Sequence, residues 1–282
     1  MTRRVIAGTA AIGAALALAF YGGTIVGNVD KSAERSEDAG KTSEVSDDPV
    51  VRYLSSFHAS GDTFTVRASR LSYFTRTDQD SLVPIETDDG LYYEVGDGEY
   101  SHEVAFNGGN AALVVMDPWE DSGSDFLNQY YRPVHQDGIL PLVEKFVELG
   151  VPVFAFTNAP NAAAYGVEVF DELEAMGERG DLTILRHADY DDDAFAELLK
   201  SHGIRTLIYA GFASNKCVIG RRVGIIPMLN QGLRAYFVPG ASAAVERPDT
   251  WASGEAHREA TLLIKQYGSG VLELEELLAL TR

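Results

Sequence analysis

The chain has 282 residues, of which 45% are hydrophobic, 10% aromatic and 23% charged, a composition typical of a globular protein with one sizeable core. Its formal net charge of −19 argues against a nucleic-acid-binding protein, because phosphate recognition requires clustered lysine and arginine side chains. The excess of carboxylates is explained by a solubilising surface.

The N-terminal segment, residues 1–29, has the pattern of an export signal. Arg3 and Arg4 precede an apolar run that extends to Val26, and an acidic, polar sequence follows. A basic start before an apolar segment is typical of a signal peptide or an N-terminal membrane anchor, and the paired arginines resemble a twin-arginine signal. The sequence leaves open whether the segment is cleaved or stays in the bilayer as a helix. We expect an exported protein that is secreted, periplasmic or anchored to the outer face of the cytoplasmic membrane.

Two further segments precede the core. Residues 30–50 are rich in Ser, Asp and Glu and contain no aromatic residue, so we expect a disordered acidic tether. Residues 51–109 alternate apolar and polar side chains, as in Thr63–Arg67 and Leu91–Val95, with Gly and Asp turns between them. This alternation predicts a small β-rich extension.

The remaining residues, 110–282, alternate short apolar runs with helical stretches. The runs predict buried strands at 112–116, 151–156, 182–185, 206–210 and 235–238, and the stretches predict helices at 139–149, 167–176, 192–202, 217–231 and 255–267. This order predicts an α/β fold of three layers, αβα, with a doubly wound parallel sheet. Ligands in such folds bind beyond the carboxyl ends of the strands, so the residues that end strands are the candidates for a site.

Two residues at strand ends can carry chemistry. Asp117 follows the first core strand and would face the ligand crevice, although an aspartate there could also cap a turn. Cys217, the only cysteine, follows a turn of small residues at the start of a predicted helix. The helix N-terminus and a nearby cation would lower the thiol pKa from about 8.5 by about two units and favour the thiolate. A buried, inert thiol is the alternative.

Four segments resemble the isochorismatase-like cysteine hydrolases in order and spacing: residues 112–117, 151–154, 207–218 and 240–244. The resemblance covers residues 110–282, and the segment around the cysteine is the most specific part. It implies a three-layer α/β fold and an Asp-Lys-Cys triad, in which Asp117 and Cys217 match the Asp and the Cys. It also implies a cis peptide at Phe212–Ala213 and an oxyanion hole formed by the backbone N–H groups of Ala213 and Cys217.

The lysine of this triad is missing from the sequence. The family places it at the end of the third core strand, where this chain reads Leu185-Arg186-His187. We expect Arg186, rather than His187, to supply the positive charge that holds Asp117 and stabilises the thiolate. A guanidinium does not exchange protons, so Asp117 would perform all the acid/base work.

The same resemblance bears on the ligands. Nicotinamidase-like members carry His ligands after the second core strand, whereas residues 157–161 contain no histidine, so we expect no metal and no cofactor. The substrate would be a small amide or ureido-type molecule cleaved at a C–N bond. Trp119, Phe156 and Asn158 are the predicted substrate contacts, although the aromatic residues could equally pack in the core. The alternative function is a non-catalytic binding or scaffold protein that has lost the lysine, and the sequence leaves self-association open.

Overall fold

The computed structural model describes residues 47–71, 84–87, 90–93, 99–158 and 168–282. The predicted export segment, residues 1–29, and most of the predicted tether lie outside the described residues. Within these ranges, no helix combines the length and the apolar character that crossing a membrane requires.

Strands and helices alternate from residue 111 onward, as the sequence predicts. The elements in chain order are α1 (Pro49–Ser56), β1 (Phe64–Leu71), β2 (Pro84–Thr87), β3 (Gly90–Tyr93), β4 (Glu99–Phe106), β5 (Ala111–Met116), α2 (Asp125–Val134), a π-helical turn (His135–Ile139), α3 (Leu140–Leu149), β6 (Val153–Thr157), α4 (Asp171–Arg179), β7 (Thr183–Arg186), α5 (Asp192–Ser201), β8 (Thr206–Phe212), α6 (Cys217–Gly220), α7 (Ile225–Asn230), β9 (Arg234–Ala243), α8 (Glu255–Tyr267), β10 (Gly270–Leu272) and α9 (Leu274–Leu278).

Eight of the described strands form one sheet in the order β4–β1–β10–β9–β8–β5–β6–β7. The six strands from β10 to β7 are parallel, and β1 is antiparallel to both β10 and β4. Strand β5 lies between β6 and β8, and the chain winds outward from it in both directions. The strand order therefore reverses between β5 and β8, and the carboxyl ends of these two strands form the crevice where doubly wound folds bind ligands.

The sheet is covered on both faces, which β5 makes clear. Leu113 and Val115 belong to one buried cluster with residues of α2, α3, α4 and α9. Ala112 and Val114 belong to a second cluster with residues of α1, α5, α6, α7 and α8. Because successive residues of a strand point to opposite faces, the two clusters are the two halves of the core. The predicted three-layer α/β fold is thereby confirmed.

Two strands of the predicted β-rich extension, β1 and β4, complete the core sheet, whereas β2 and β3 pair with each other in a separate sheet. Strand β1 pairs with β10 through Ala68 and Leu272, and β4 pairs along the whole length of β1. The described residues from 47 to 282 belong to one compact unit. The antiparallel strands are thus an edge of the same sheet, which local sequence patterns do not reveal.

Residues 49–56 form helix α1, where the sequence analysis expected tether and strand. The Asp48 carboxylate accepts hydrogen bonds from the backbone N–H groups of Val50 and Val51, and Pro49 occupies the first helical turn. Both are standard helix-start features, since an aspartate satisfies unpaired N–H groups and proline has no N–H to satisfy. The Asp48-Pro49 pair is therefore a helix-start signal in the sequence.

The predicted helix at 217–231 is interrupted. Helix α6 ends at Gly220, and α7 begins at Ile225. Val223 has a φ of 57°, and a Cβ atom on Gly224 would lie 2.8–3.0 Å from three backbone carbonyl oxygens. A glycine is therefore required for the chain to turn so tightly. The break leaves Arg221 as the C-cap of α6.

Gly211 allows β8 to approach β5 next to the crevice. Its φ is 104°, and a Cβ atom there would lie 2.1 Å from the carbonyl oxygen of Met116. We expect Gly211→Ala to lower the free energy of unfolding by about 3 kcal/mol, because a strained φ and overpacking each cost about 1–3 kcal/mol. The matched control is Gly232→Ala, since Gly232 has a φ of 77° but open space around its Cβ position. Gly232→Ala should lower the free energy of unfolding by only about 1 kcal/mol. Equal losses in urea denaturation would contradict this account.

Candidate functional site

Asp117 lies at the switch point of the sheet. Strand β5 ends at Met116, which pairs with Gly211 of β8, so the next residue enters the crevice between these strands. Asp117 is fully buried and has a φ of 45°, a conformation uncommon for a residue other than glycine. Its backbone N–H donates to the carbonyl of Phe156 at 2.8 Å. The backbone thus fixes this carboxyl group at the carboxyl edge of the sheet.

The turn after β8 brings Cys217 to the same place. The cis peptide that the resemblance implies is present between Phe212 and Ala213. The Ala213 carbonyl then accepts hydrogen bonds from the N–H groups of Lys216 at 2.9 Å and Val218 at 3.2 Å. These bonds close a tight turn, from which Cys217 begins helix α6.

The end of β9 and the loop after it hold this turn. The Ser214 N–H donates to the Ala243 carbonyl at 2.8 Å. The Asn215 side chain exchanges two hydrogen bonds with the backbone of Val245, at 3.0 and 3.1 Å. Hydrogen bonds from Ser214 and Asn215 therefore fix the turn to the end of β9 and the segment that follows it.

A half-buried histidine, His257, also contacts the turn. Ser214 Oγ lies 2.9 Å from His257 Nδ1, and the ring also hydrogen-bonds the carbonyl of Pro239. Burial lowers the pKa of His257, so the ring is neutral at neutral pH. Since a carbonyl can only accept, the ring N–H points to Pro239 and Nδ1 accepts from the Ser214 hydroxyl.

Two nitrogen-containing side chains surround the Asp117 carboxylate. His187 Nε2 lies 3.0 Å from Oδ1, and Arg221 Nη1 lies 3.1 Å from Oδ2. The same Nη1 is 3.8 Å from Cys217 Sγ, and Arg221 Nη2 donates to Asn158 Oδ1. Arg221 therefore links the carboxylate, the thiol and the strand end after β6.

The prediction that Arg186 holds Asp117 is wrong. Arg186 ends β7 with an exposed side chain, whereas His187 is buried and contacts the carboxylate. Adjacent residues of an extended chain point to opposite sides, so only one of the two can face the crevice. Arg221, the second partner, was not predicted. It lies four residues after Cys217, and this spacing on a helical turn was the available signal.

The predicted substrate contacts lie in different surroundings. Asn158 is at the site, since it hydrogen-bonds Arg221. Phe156 is fully buried and stacks on the His187 ring, with centroids 5.4 Å apart, so it belongs to the core and not to a pocket wall. Trp119 is partly buried against the core cluster on the α2 side of the sheet. Binding of substrate by Trp119 and Asn158 stays a prediction.

The Cys217 thiol is protonated at neutral pH, which corrects the expectation of a lowered pKa. Burial raises its pKa to about 11, and the charge of Asp117 and a hydrogen bond to that carboxylate act in the same direction. The charge and hydrogen bond of Arg221 lower the pKa but do not compensate. Burial and the carboxylate therefore outweigh the helix terminus and the cation.

Two further expectations concern ligands of the site. The oxyanion hole formed by the N–H groups of Ala213 and Cys217 stays a prediction. Among the residues that the structure describes, no group of three or more His, Cys, Asp or Glu side chains could hold a metal ion.

No protein-family model and no curated protein sequence matches the chain. Its structure is similar to an octameric hydrolase of unknown specificity from Escherichia coli, with 16% identity and a TM-score of 0.45 over 61% of this chain and 78% of that one. A cysteine hydrolase from Pseudomonas syringae pv. phaseolicola is 17% identical, with a TM-score of 0.47, over 61% of this chain and 92% of that one. An isochorismatase from Pseudomonas putida is 15% identical, with a TM-score of 0.44, over 59% of this chain and 89% of that one. At these identities the similarity is one of fold.

The raised thiol pKa predicts how Cys217 reacts with iodoacetamide. Only the thiolate reacts, so we expect the alkylation rate to rise about tenfold per pH unit from about pH 7 to 10 without reaching a plateau. Asp117→Asn removes the carboxylate charge, and its profile should therefore level off at a lower pH. Arg186→Ala, a change at an exposed position, is the control and should match the unaltered protein. Intact mass measures the rates, and a plateau near pH 8 in the unaltered protein would contradict the account.

Proposed function

We propose that the protein is a cysteine hydrolase that cleaves the C–N bond of a small amide or ureido-type compound. The observation that carries the proposal is that Arg221 Nη1 lies 3.1 Å from the buried Asp117 carboxylate and 3.8 Å from Cys217 Sγ, so that one guanidinium joins the base and the thiol. A nucleophile in contact with a base that a third group orients is the arrangement that covalent catalysis requires.

The first step is attack of the thiol on the substrate carbonyl. Deprotonating a thiol of pKa about 11 before attack would cost about 5 kcal/mol at pH 7, so proton transfer and attack occur together. The Cys217 proton moves to the Asp117 carboxylate as Sγ bonds to the carbonyl carbon, and the carbonyl π electrons move to the oxygen. The N–H groups of Ala213 and Cys217 are our candidates to stabilise that oxyanion.

Release of the amine completes acylation of Cys217, and hydrolysis of the thioester then releases the acid. The oxyanion collapses, the C–N bond breaks, and the proton on Asp117 moves to the leaving nitrogen. Water then attacks the thioester while Asp117 accepts a proton from it. The C–S bond breaks, the carboxylic acid leaves, and the proton returns from Asp117 to Cys217.

His187 and Arg221 act on this cycle through Asp117. His187 contacts Oδ1 and Arg221 Nη1 donates to both carboxylate oxygens, so together they fix the orientation of the group that carries the proton. The guanidinium at 3.8 Å from Sγ also stabilises the negative charge that develops on sulfur during attack. This division replaces the single lysine of the family triad with two residues.

A non-catalytic binding or scaffold protein on the same fold is the second candidate. The raised thiol pKa favours it, because an inert buried cysteine would show the same direction of shift. Only the covalent intermediate separates the two functions.

We expect a panel of small amides and ureides to include a compound that acylates Cys217, detected by intact mass as an adduct on the single cysteine. Cys217→Ala should abolish the adduct and lower turnover by at least about 10³-fold, because the chain has no second cysteine that could form the thioester. His187→Ala should lower turnover by about 10²-fold, since it leaves Asp117 held on one side.

The exposed neighbour Arg186→Ala is the matched control for His187→Ala and should retain full turnover. Undiminished turnover in Cys217→Ala would refute the nucleophile. If no compound in the panel is turned over and Cys217 reacts with iodoacetamide only after unfolding, the scaffold function is favoured.

A further inference from the structure

Tyr131 of helix α2 carries a buried hydroxyl group that needs a partner. Its side chain is 1% exposed, and the hydroxyl has no hydrogen-bond partner among the described residues. Buried hydroxyl groups in folded proteins are nearly always hydrogen-bonded, to protein, to water or to a ligand. An unmatched donor therefore marks a place where another molecule binds.

The position of Tyr131 relates this hydroxyl to the candidate site. The ring stacks on Phe212 with centroids 4.1 Å apart and planes 11° apart. Phe212 ends β8 and precedes the turn that carries Cys217. Burial is the largest cause of the raised pKa of Tyr131, and the charges of Cys217, Tyr130 and Asp117 raise it further. The Tyr131 ring thus packs against the residue that leads into the Cys217 turn, and its phenol stays an uncharged O–H donor at neutral pH.

Trp119 supplies a second unmatched donor on the same side of the sheet. Its indole Nε1 is buried and, within the described part of the chain, has no hydrogen-bond partner. The ring packs against the core cluster that contains Tyr131 and Phe212. The Trp119 backbone N–H donates to the Asp117 carbonyl at 2.8 Å. Two donors without acceptors therefore lie beside the chain segment that holds the base.

The charges around these donors favour a neutral partner. The carboxylates of Asp117 and Glu246 both act on Tyr131, and a substrate anion would meet their repulsion. The positive charge of Arg221 is already paired with Asp117. A neutral acceptor, such as a second carbonyl oxygen, satisfies the phenol without this repulsion.

We propose that Tyr131 donates its hydroxyl hydrogen bond to a neutral acceptor on the acyl side of the substrate, so that the site selects amides carrying a second carbonyl group. This inference rests on the proposed function, because it names the substrate class of that site. A site with an unmatched buried donor rejects an analogue that lacks the acceptor, since binding the analogue leaves the donor unpaired.

The test compares malonamide with isovaleramide, which has a similar size but carries an isopropyl group in place of the second carboxamide and therefore lacks the second carbonyl. Each amide is titrated for protection of Cys217 against iodoacetamide at about pH 9, with intact mass as the readout. We expect malonamide to protect the unaltered protein at a concentration at least about tenfold lower than isovaleramide does. Tyr131→Phe keeps the ring and its stacking on Phe212, and it should bring the ratio of the two concentrations close to one.

Tyr53→Phe is the matched control, because Tyr53 is also buried but donates to the Asp181 carbonyl and contacts the first residue of β6, at the opposite edge of the sheet. It should leave the tenfold ratio unchanged. A ratio near one in the unaltered protein, or an unchanged ratio in Tyr131→Phe, would overturn the inference. Protection reports binding whether or not an amide is cleaved, so a failure of hydrolysis refutes the proposed function separately.

Discussion

The site depends on the burial of the Asp117 carboxylate between His187 and Arg221. A carboxylate removed from water is costly unless charged or hydrogen-bonded partners compensate, and removing one partner of a buried pair costs about 3–5 kcal/mol. Here the partners come from different strand ends, His187 after β7 and Arg221 from the turn after α6. Phe156 packs behind the imidazole, and Gly211 allows β8 close enough to β5 for these groups to meet.

The same carboxylate governs the thiol. Asp117 raises the pKa of Cys217 and Arg221 lowers it, but burial adds to the effect of the carboxylate, so the resting nucleophile keeps its proton. Such a site does not store a thiolate. It provides a base in contact with the thiol, which removes the proton only when a carbonyl carbon is present to take the electron pair. The arginine then contributes during attack, when negative charge appears on sulfur beside it.

The parallel sheet and its two principal strand-end residues could be predicted, because apolar runs report buried strands and parallel strands end at one edge. The partners of the carboxylate could not. The apolar run before Arg186 and His187 does not fix which of the two faces the crevice, and an error of one residue reverses a side chain. Arg221 lies one helical turn after Cys217, but that spacing does not show that its guanidinium reaches Asp117, and residues 217–231 look like one helix. The left-handed Val223 breaks that helix, and its N–H and carbonyl are held by Asp192 and Tyr209, tertiary contacts that local propensity does not contain.

The central claim is that Asp117 takes the Cys217 proton as the bond to carbon forms. The most direct measurement is the solvent deuterium isotope effect on acylation of Cys217 by a p-nitrophenyl ester at pH 7, followed by release of nitrophenolate. Because the proton is in flight between sulfur and carboxylate in the rate-limiting transition state, the account predicts slower acylation in D₂O than in H₂O. An equal or faster rate in D₂O would mean that a preformed thiolate attacks, and this would contradict the account.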